Sequence, residues 1–317
     1  MTKLFPLNSP LPAPPKVVVV VGPTAAGKTA LSIEIARAVR GEAISADSRQ
    51  VYRELDIGTG KITRREMQGI PHHLLDVADP KKTFTAADYV HLGRAAISLI
   101  AARGHVPIVV GGTGFYVDAL LGRVQLAEVP ANKALRAKLE TWSEKRLTKE
   151  LKKLDPEKAK TIDMKNRVRL VRAIEIAKAL GKTPPLSRRR LDRGGGPYEI
   201  LWIGLTLPKE ELAKKIHIRL FARIRDIERE VKKLHKKGLS WRRMEALGLE
   251  YRYMARYLQG KISQDEMLRE LESQIRKYAK RQMTWFKRNK EIQWFTPTEK
   301  KKIISLSKKF LATNSLR

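Results

Sequence analysis

Val17-Val18-Val19-Val20-Val21-Gly22-Pro23-Thr24-Ala25-Ala26-Gly27-Lys28-Thr29 decides the fold. Five consecutive β-branched residues, apolar on both faces, predict a strand buried inside a parallel sheet. The Gly-x-x-x-x-Gly-Lys-Thr run that follows is the pattern of a phosphate-binding loop. Its glycines let backbone N–H groups converge on phosphate oxygens, and a helix N-terminus adds positive potential. Lys28 supplies a point charge and the Thr29 hydroxyl is a Mg²⁺ ligand candidate. All eight residues from Gly22 to Thr29 are therefore candidate phosphate contacts. From Thr29 to Val39 the apolar residues Leu31, Ile35 and Val39 recur at helical spacing.

The pattern continues outward. Residues 42–46 predict a short strand that delivers Asp47 at its end, residues 86–102 a helix, and residues 106–110 a second buried strand running into Gly111-Gly112-Thr113-Gly114. Strands alternating with helices predict a doubly wound α/β domain of the P-loop NTPase type, a parallel sheet flanked by helices, with its ligand crevice beyond the strands' carboxyl ends. A P-loop kinase usually has an acid at a second strand end to organise Mg²⁺ and the nucleophile. The strand at 106–110 ends without one, and Asp47 is the acid nearest in sequence to the P-loop at a strand end. Taken alone it reads either as a helix N-cap or as a catalytic carboxylate.

Beyond residue 125 the character changes. Residues 133–153 and 155–180 predict charged helices, 188–197 a basic glycine-rich hinge, and 199–207 a return to the sheet. The expected organisation is a core formed by 1–125 and 197–317, with 126–196 as an inserted helical domain and a helical C-terminal region from Lys209. Charge follows the same division. Of 317 residues, 65 are Lys or Arg and 33 Asp or Glu, a formal net charge of +32. Residues 1–130 carry 15 basic and 11 acidic side chains, and 131–317 carry 50 and 22. The excess reads either as a solvated lysine-rich surface or as the footprint of a polyanionic partner. No helix shows the clean apolar face that a lipid surface would need.

There is no cysteine, which excludes disulfides and thiolate metal sites. The proline-rich N-terminus does not form a signal h-region, and no apolar run approaches the roughly 20 residues of a membrane span. A soluble, cytoplasmic protein is expected. His72 and His73 have neither a Cys partner nor HExxH spacing and read as positioning or packing residues, Tyr52 and Tyr116 as pocket walls, and Trp285 as core. No oligomer signal is present, so a monomer is expected.

Several segments together resemble the tRNA dimethylallyltransferases, also called tRNA isopentenyltransferases: GPTAAGKT (22–29), ISADSRQVYRELDIGTGK (44–61), GIPHHLLDVADP (69–80), FTAADY (84–89), GGTGFYVDAL (111–120), DPEKA (155–159), RLVRAIEI (169–176) and YAKRQMTWFK (278–287). They span nearly the whole chain in the family's order. The resemblance implies transfer of a dimethylallyl group from dimethylallyl diphosphate to the exocyclic amine of the adenosine 3′ of the tRNA anticodon. It implies that the P-loop holds the diphosphate, with Mg²⁺ assisting at Thr29. Asp47 would accept the amine proton, Thr113 would lie beside the adenosine, and Arg219 would bind diphosphate. Asp47-Ser48-Arg49-Gln50, Thr113, Val168-Arg169-Leu170-Val171-Arg172 and Lys280-Arg281-Gln282-Met283-Thr284-Trp285-Phe286-Lys287 would meet the anticodon stem-loop. The chain departs from the family's usual pattern at Lys215, at Gly60, where alanine is usual, and at Gly248-Leu249-Glu250-Tyr251.

Overall fold

The computed structural model describes residues 14–127, 129–181 and 197–313. The valine run forms β1 (Lys16–Val21), and the P-loop carries the chain into α1 (Lys28–Val39). There follow β2 (Gly41–Ser45), a short α2 (Arg64–Met67), β3 (His72–His73), α3 (Ala86–Ala102), β4 (Val106–Gly111) and α4 (Gly114–Leu120). Four helices come next, α5 (Lys133–Glu140), α6 (Glu144–Leu154), α7 (Pro156–Thr161) and α8 (Arg167–Leu180). The chain then returns through β5 (Glu199–Leu205) to α9 (Lys209–Lys236), α10 (Trp241–Leu247), α11 (Leu249–Leu258), α12 (Gln264–Phe286), β6 (Gln293–Phe295) and α13 (Lys300–Ala312).

The six strands form one parallel sheet in the order β3-β2-β4-β1-β5-β6. β1 lies inside it, and successive valines face opposite layers. Val17, Val19 and Val21 pack with Ile97 and Ile100 of α3 and Val117 and Leu120 of α4. Val18 and Val20 pack with Leu31 and Ile35 of α1 and Ile303 of α13. The doubly wound expectation is met. A third core joins Leu220 and Ile227 of α9, Met254 of α11 and Leu271 and Ile275 of α12 to Val51 and Leu55.

Two compact units result, residues 1–121 with 194–317, and residues 122–193. The second has its own core around Leu139, Leu147, Leu151, Leu170 and Ile174. Inside it the buried Glu175 carboxylate receives Arg136 Nη2 at 2.8 Å, Arg172 Nη1 at 2.5 Å and the Asn132 N–H at 2.6 Å. Burial opposes the charged form, but these donors outweigh it and hold the carboxyl at about 2. Its folded pKa lies below the unfolded value, so the stabilisation is complete above about pH 4.5 and is lost as the pH falls toward 2. Glu175→Gln should lower stability by about 3 kcal/mol at neutral pH, because it strands two arginines. Thermal unfolding at pH 7 and pH 3 checks this: the difference between variant and wild type should shrink in acid.

Where helices were expected over 133–153 and 155–180, there are four. The breaks are capping events. Ser143 accepts the Arg146 N–H, Asp155 that of Lys158, and Asn166 that of Arg169, so each starts a new helix. The hinge expected at 188–197 lies, up to residue 196, outside the described residues. β3 and β6 were not anticipated, because two and three residues are too few to show a period.

Candidate active site

The P-loop curls through left-handed backbone at Ala25 (φ 63°) and Gly27 (φ 87°). Gly27 caps α1 without a side-chain hydrogen bond, and no acid stands in the first turn. The first N–H groups of α1 are therefore left for an external anion. Lys28 Nζ meanwhile donates to Pro23 O at 2.7 Å. Burial draws its pKa down to about 8; the Asp47 charge opposes the fall and Arg219 adds to it. Those two side chains therefore act on the same ammonium.

Asp47 follows β2, and Thr113 follows the neighbouring β4. Asp47 Oδ1 accepts the N–H of Arg49 at 2.8 Å and that of Gln50 at 3.4 Å, fixing the turn. Thr113 Oγ1 accepts the Ser48 N–H at 3.1 Å, and the Thr113 N–H donates to Ala46 O at 3.1 Å. The two strand ends are thereby tied together. Although Thr113 is the N-cap of α4, its side chain makes no capping bond.

A cavity of about 860 Å³ opens beyond these ends, lined among others by Thr24, Ala25, Gly27, Lys28, Thr29, Asp47, Gln50, Gly60, Arg219, Tyr278 and Gln282. It brings Asp47, Lys28, Thr29 and Arg219 together. Thr113, Ser48 and Arg49 stand behind Asp47 rather than among the lining residues, and Gly22, Pro23 and the buried Ala26 shape the loop from beneath.

Sequence reasoning missed three features. Glu230, buried in α9, accepts the successive N–H groups of Asp56, Ile57 and Gly58 at 2.9, 2.7 and 3.0 Å, and the Tyr251 hydroxyl at 2.6 Å. One carboxylate thus fixes the loop that carries Gly60 to the cavity. Tyr278 is a cavity wall, whereas Tyr52 and Tyr116 are buried away from it. Burial, then the Asp47 charge, pushes the Tyr278 phenol up to about 12, with the Thr113 hydroxyl opposing, so it stays neutral. Its place one helical turn before Gln282 on α12 was the available signal.

The third is Gln282. Its Oε1 accepts the Thr24 N–H at 2.8 Å and its Nε2 donates to Gly112 O at 2.9 Å. The amide clamps the P-loop to the loop after β4. A Cβ at Gly112 would come within 2.1 Å of Gln282 Nε2, so only glycine admits the clamp. Gln282 was expected to meet RNA, but it is buried with both amide atoms engaged within the protein. Phe286 is likewise core beside Trp202, and Leu170 is core of the helical unit. All three expectations give way to packing. Trp285 is half-buried, its indole N–H donating to Asp118 Oδ2 at 2.9 Å. Arg172 is held by Glu175, Val171 packs on the helical core and Met283 is half-buried. Val168, Arg169, Lys280, Arg281, Thr284 and Lys287 are exposed.

His73 Nε2 lies 2.6 Å from Glu42, which also meets Arg103 and His105. Glu42 is at the opposite end of β2 from Asp47, so this cluster ties the sheet together away from the strand ends just described. His72 does border the cavity, with Nδ1 2.8 Å from Ile70 O. No helix among the described residues is long and apolar enough to cross a membrane.

Comparison with known proteins gives one family. The family described as IPP transferase matches residues 50–289. A tRNA dimethylallyltransferase of Bacillus cytotoxicus is 39% identical over 295 residues, covering 90% of this chain and 92% of the relative. A tRNA dimethylallyltransferase 1 of Geotalea uraniireducens is 42% identical over 273 residues, covering 86% and 88%. The crystal structure of a full-length tRNA isopentenylpyrophosphate transferase from Bacillus halodurans superimposes with a TM-score of 0.69 at 36% identity, covering 93% of this chain and 96% of that one. Agreement of that extent, over a chain whose strand ends gather a P-loop lysine, an aspartate and an arginine, makes this protein a transferase of the IPP transferase family.

Proposed function

We propose that the protein transfers a dimethylallyl group from dimethylallyl diphosphate to the exocyclic amine of the adenosine 3′ of the anticodon in tRNA. One observation carries the reading: Asp47 lines the same cavity as Lys28, Arg219 and the open N-terminus of α1. A base thus faces a set of anion-binding groups, as substitution at a carbon bearing a diphosphate leaving group requires. The amine nitrogen bonds to the allylic carbon as the carbon–oxygen bond breaks. Asp47 takes the amine proton, and the diphosphate leaves with the electron pair. Lys28, Arg219 and the P-loop N–H groups stabilise the charge that develops on it. Thr113, tied to the turn behind Asp47, positions the adenosine side of the site.

Thr29 and the substrate's phosphates offer the hard oxygen ligands that Mg²⁺ prefers. Among the described residues no group of three His, Asp or Glu side chains is placed to hold a metal ion, so most of the ion's protein contact would fall to Thr29. Bound there, Mg²⁺ would supply charge neutralisation on the diphosphate.

In the core unit the exposed Lys280, Arg281, Thr284 and Lys287 of α12 are read as contacts of the anticodon stem-loop, and in the helical unit Val168 and Arg169 of α8 are read as tRNA contacts of their own. An unpaired loop base leaves its stack cheaply, which suits a reaction at its amine. The protein is read as a cytoplasmic monomer. A kinase reading is not favoured, since β4 runs into Gly112 and Thr113 without a terminal acid and the relatives are dimethylallyltransferases.

Incubation with tRNA, Mg²⁺ and dimethylallyl diphosphate, followed by mass analysis of the nucleosides, tests the reading. No adduct on any adenosine-bearing anticodon loop would overturn it. Raising salt from about 50 to 200 mM should weaken tRNA affinity by at least about tenfold, as counterion release at phosphate contacts demands. A flat response in a binding titration would remove the polycationic surface from the account.

A further inference from the structure

Arg223 lies one helical turn beyond Arg219 on α9 and lines the same cavity. Its Nη1 donates to Ile57 O at 2.7 Å and its Nε to Arg219 O at 3.1 Å. Arg219 Nη2 reaches Gly60 O at 3.5 Å. This leaves Nη2 of Arg223, and Nε and Nη1 of Arg219, without partners among the described residues. Neither guanidinium has a carboxylate within ion-pair distance among those residues, although both are half-buried. Burial and then the Arg219 charge draw the Arg223 pKa down to about 10, partly offset by Glu250.

Two half-buried, adjacent and unpaired cations repel each other and have lost hydration, a cost that an anionic ligand reverses. Gly60 makes the arrangement possible. Its φ is +60°, and a Cβ there would fall 1.8 Å from Arg219 Nη2 and 2.6 Å from Arg223 Nη1. The departure from alanine noted in the sequence thus coincides with the place where two guanidinium groups are seated. The loop bearing it is held by Glu230 through three N–H groups, so the seat is fixed from behind.

We infer that Arg223 and Gly60 complete a second phosphate seat, in which Arg219 and Arg223 together grip one phosphate of a diphosphate while the P-loop and Lys28 hold the other. This deepens the proposed function and rests on it. A single phosphate needs only the P-loop, whereas a diphosphate uses both seats.

The test is calorimetric binding of inorganic diphosphate and of inorganic phosphate, with Mg²⁺, to the full chain. Arg223→Gln should weaken diphosphate by about tenfold and phosphate by no more than about twofold, the loss of one charge-assisted contact. Gly60→Ala should do the same, because its methyl displaces the ends of both guanidinium groups. The left-handed backbone there adds strain, so its thermal unfolding is measured beside Arg223→Gln, which carries the test if Gly60→Ala melts early. Equal binding of diphosphate by wild type and both variants would overturn the inference. So would equal proportional loss of phosphate and diphosphate, which would mark Arg223 as a support for Ile57 alone. Failure of the wild-type protein to bind diphosphate would instead overturn the proposed function.

Discussion

Replacing Asp47 by Asn should lower kcat by about 10²- to 10⁴-fold, the range for loss of a positioned general base. The substitution is chosen for its geometry. Asp47 Oδ1 holds the N–H groups of Arg49 and Gln50, and an asparagine amide keeps that acceptor while losing basicity. tRNA affinity and inorganic diphosphate affinity should therefore stay near wild type, and single-turnover transfer should collapse. Asp47→Ala should abolish transfer too, with some added loosening of the turn. If Asp47→Asn lost tRNA affinity in proportion to rate, the carboxylate would be a scaffold for residues 48–50. If it kept its rate, another group would be taking the proton.

Lys28→Met should reduce kcat/KM by about 10²- to 10³-fold, comparable with removing one preorganised donor from a developing anion. The accompanying signature is unusual for a damaging substitution. In the folded protein Lys28 is desolvated by burial, with its pKa drawn to about 8, so the folded state disfavours its charge. Between about pH 8 and the unfolded value the native chain binds fewer protons, and stability rises with pH. Removing the ammonium should then raise stability at pH 7 by about 1–2 kcal/mol, once solvent screening of a half-buried group is allowed for. Activity falls while the melting temperature rises. Inorganic diphosphate affinity should also decline in the wild type above about pH 8, and much less in Lys28→Met. A variant that melted lower and bound diphosphate normally would place Lys28 in the loop's structure instead.

What was legible in the chain follows from how each feature encodes itself. The valine run and the glycine-lysine loop are local patterns with a single physical solution, so β1, α1 and the loop between them could be read directly. Asp47 was readable because a strand end is a position, and Arg219 because the family segment carries it. Glu230 was not readable. A glutamate among Arg229, Val231 and Lys232 carries no mark of the three N–H groups it will meet more than 170 residues away. Gln282 was misassigned for a related reason. Its neighbours Lys280, Arg281 and Lys287 are exposed and basic, and the inward stripe of Leu271, Ile275, Ala279 and Phe286 passes through position 282, where a polar residue interrupts the apolar period and hides its burial. The four-helix division of the insertion was visible in Ser143, Asp155 and Asn166, but continuous charge masked those caps.

The Gln282 clamp also makes one backbone hydrogen a reporter. The Thr24 amide proton is bound by a side chain 258 residues distant in sequence. Its exchange with solvent deuterium therefore requires either α12 to lift or the P-loop to open, and the Gly112 carbonyl must be released in the first case but not in the second. Residue-resolved exchange at Thr24 without exchange at Ala26, whose N–H is held inside the loop by Pro23 O at 3.4 Å, would mark the first motion, and exchange at both the second. The chain carries its own gauge of how firmly the helix bearing the basic surface is seated on the loop proposed to hold the leaving group.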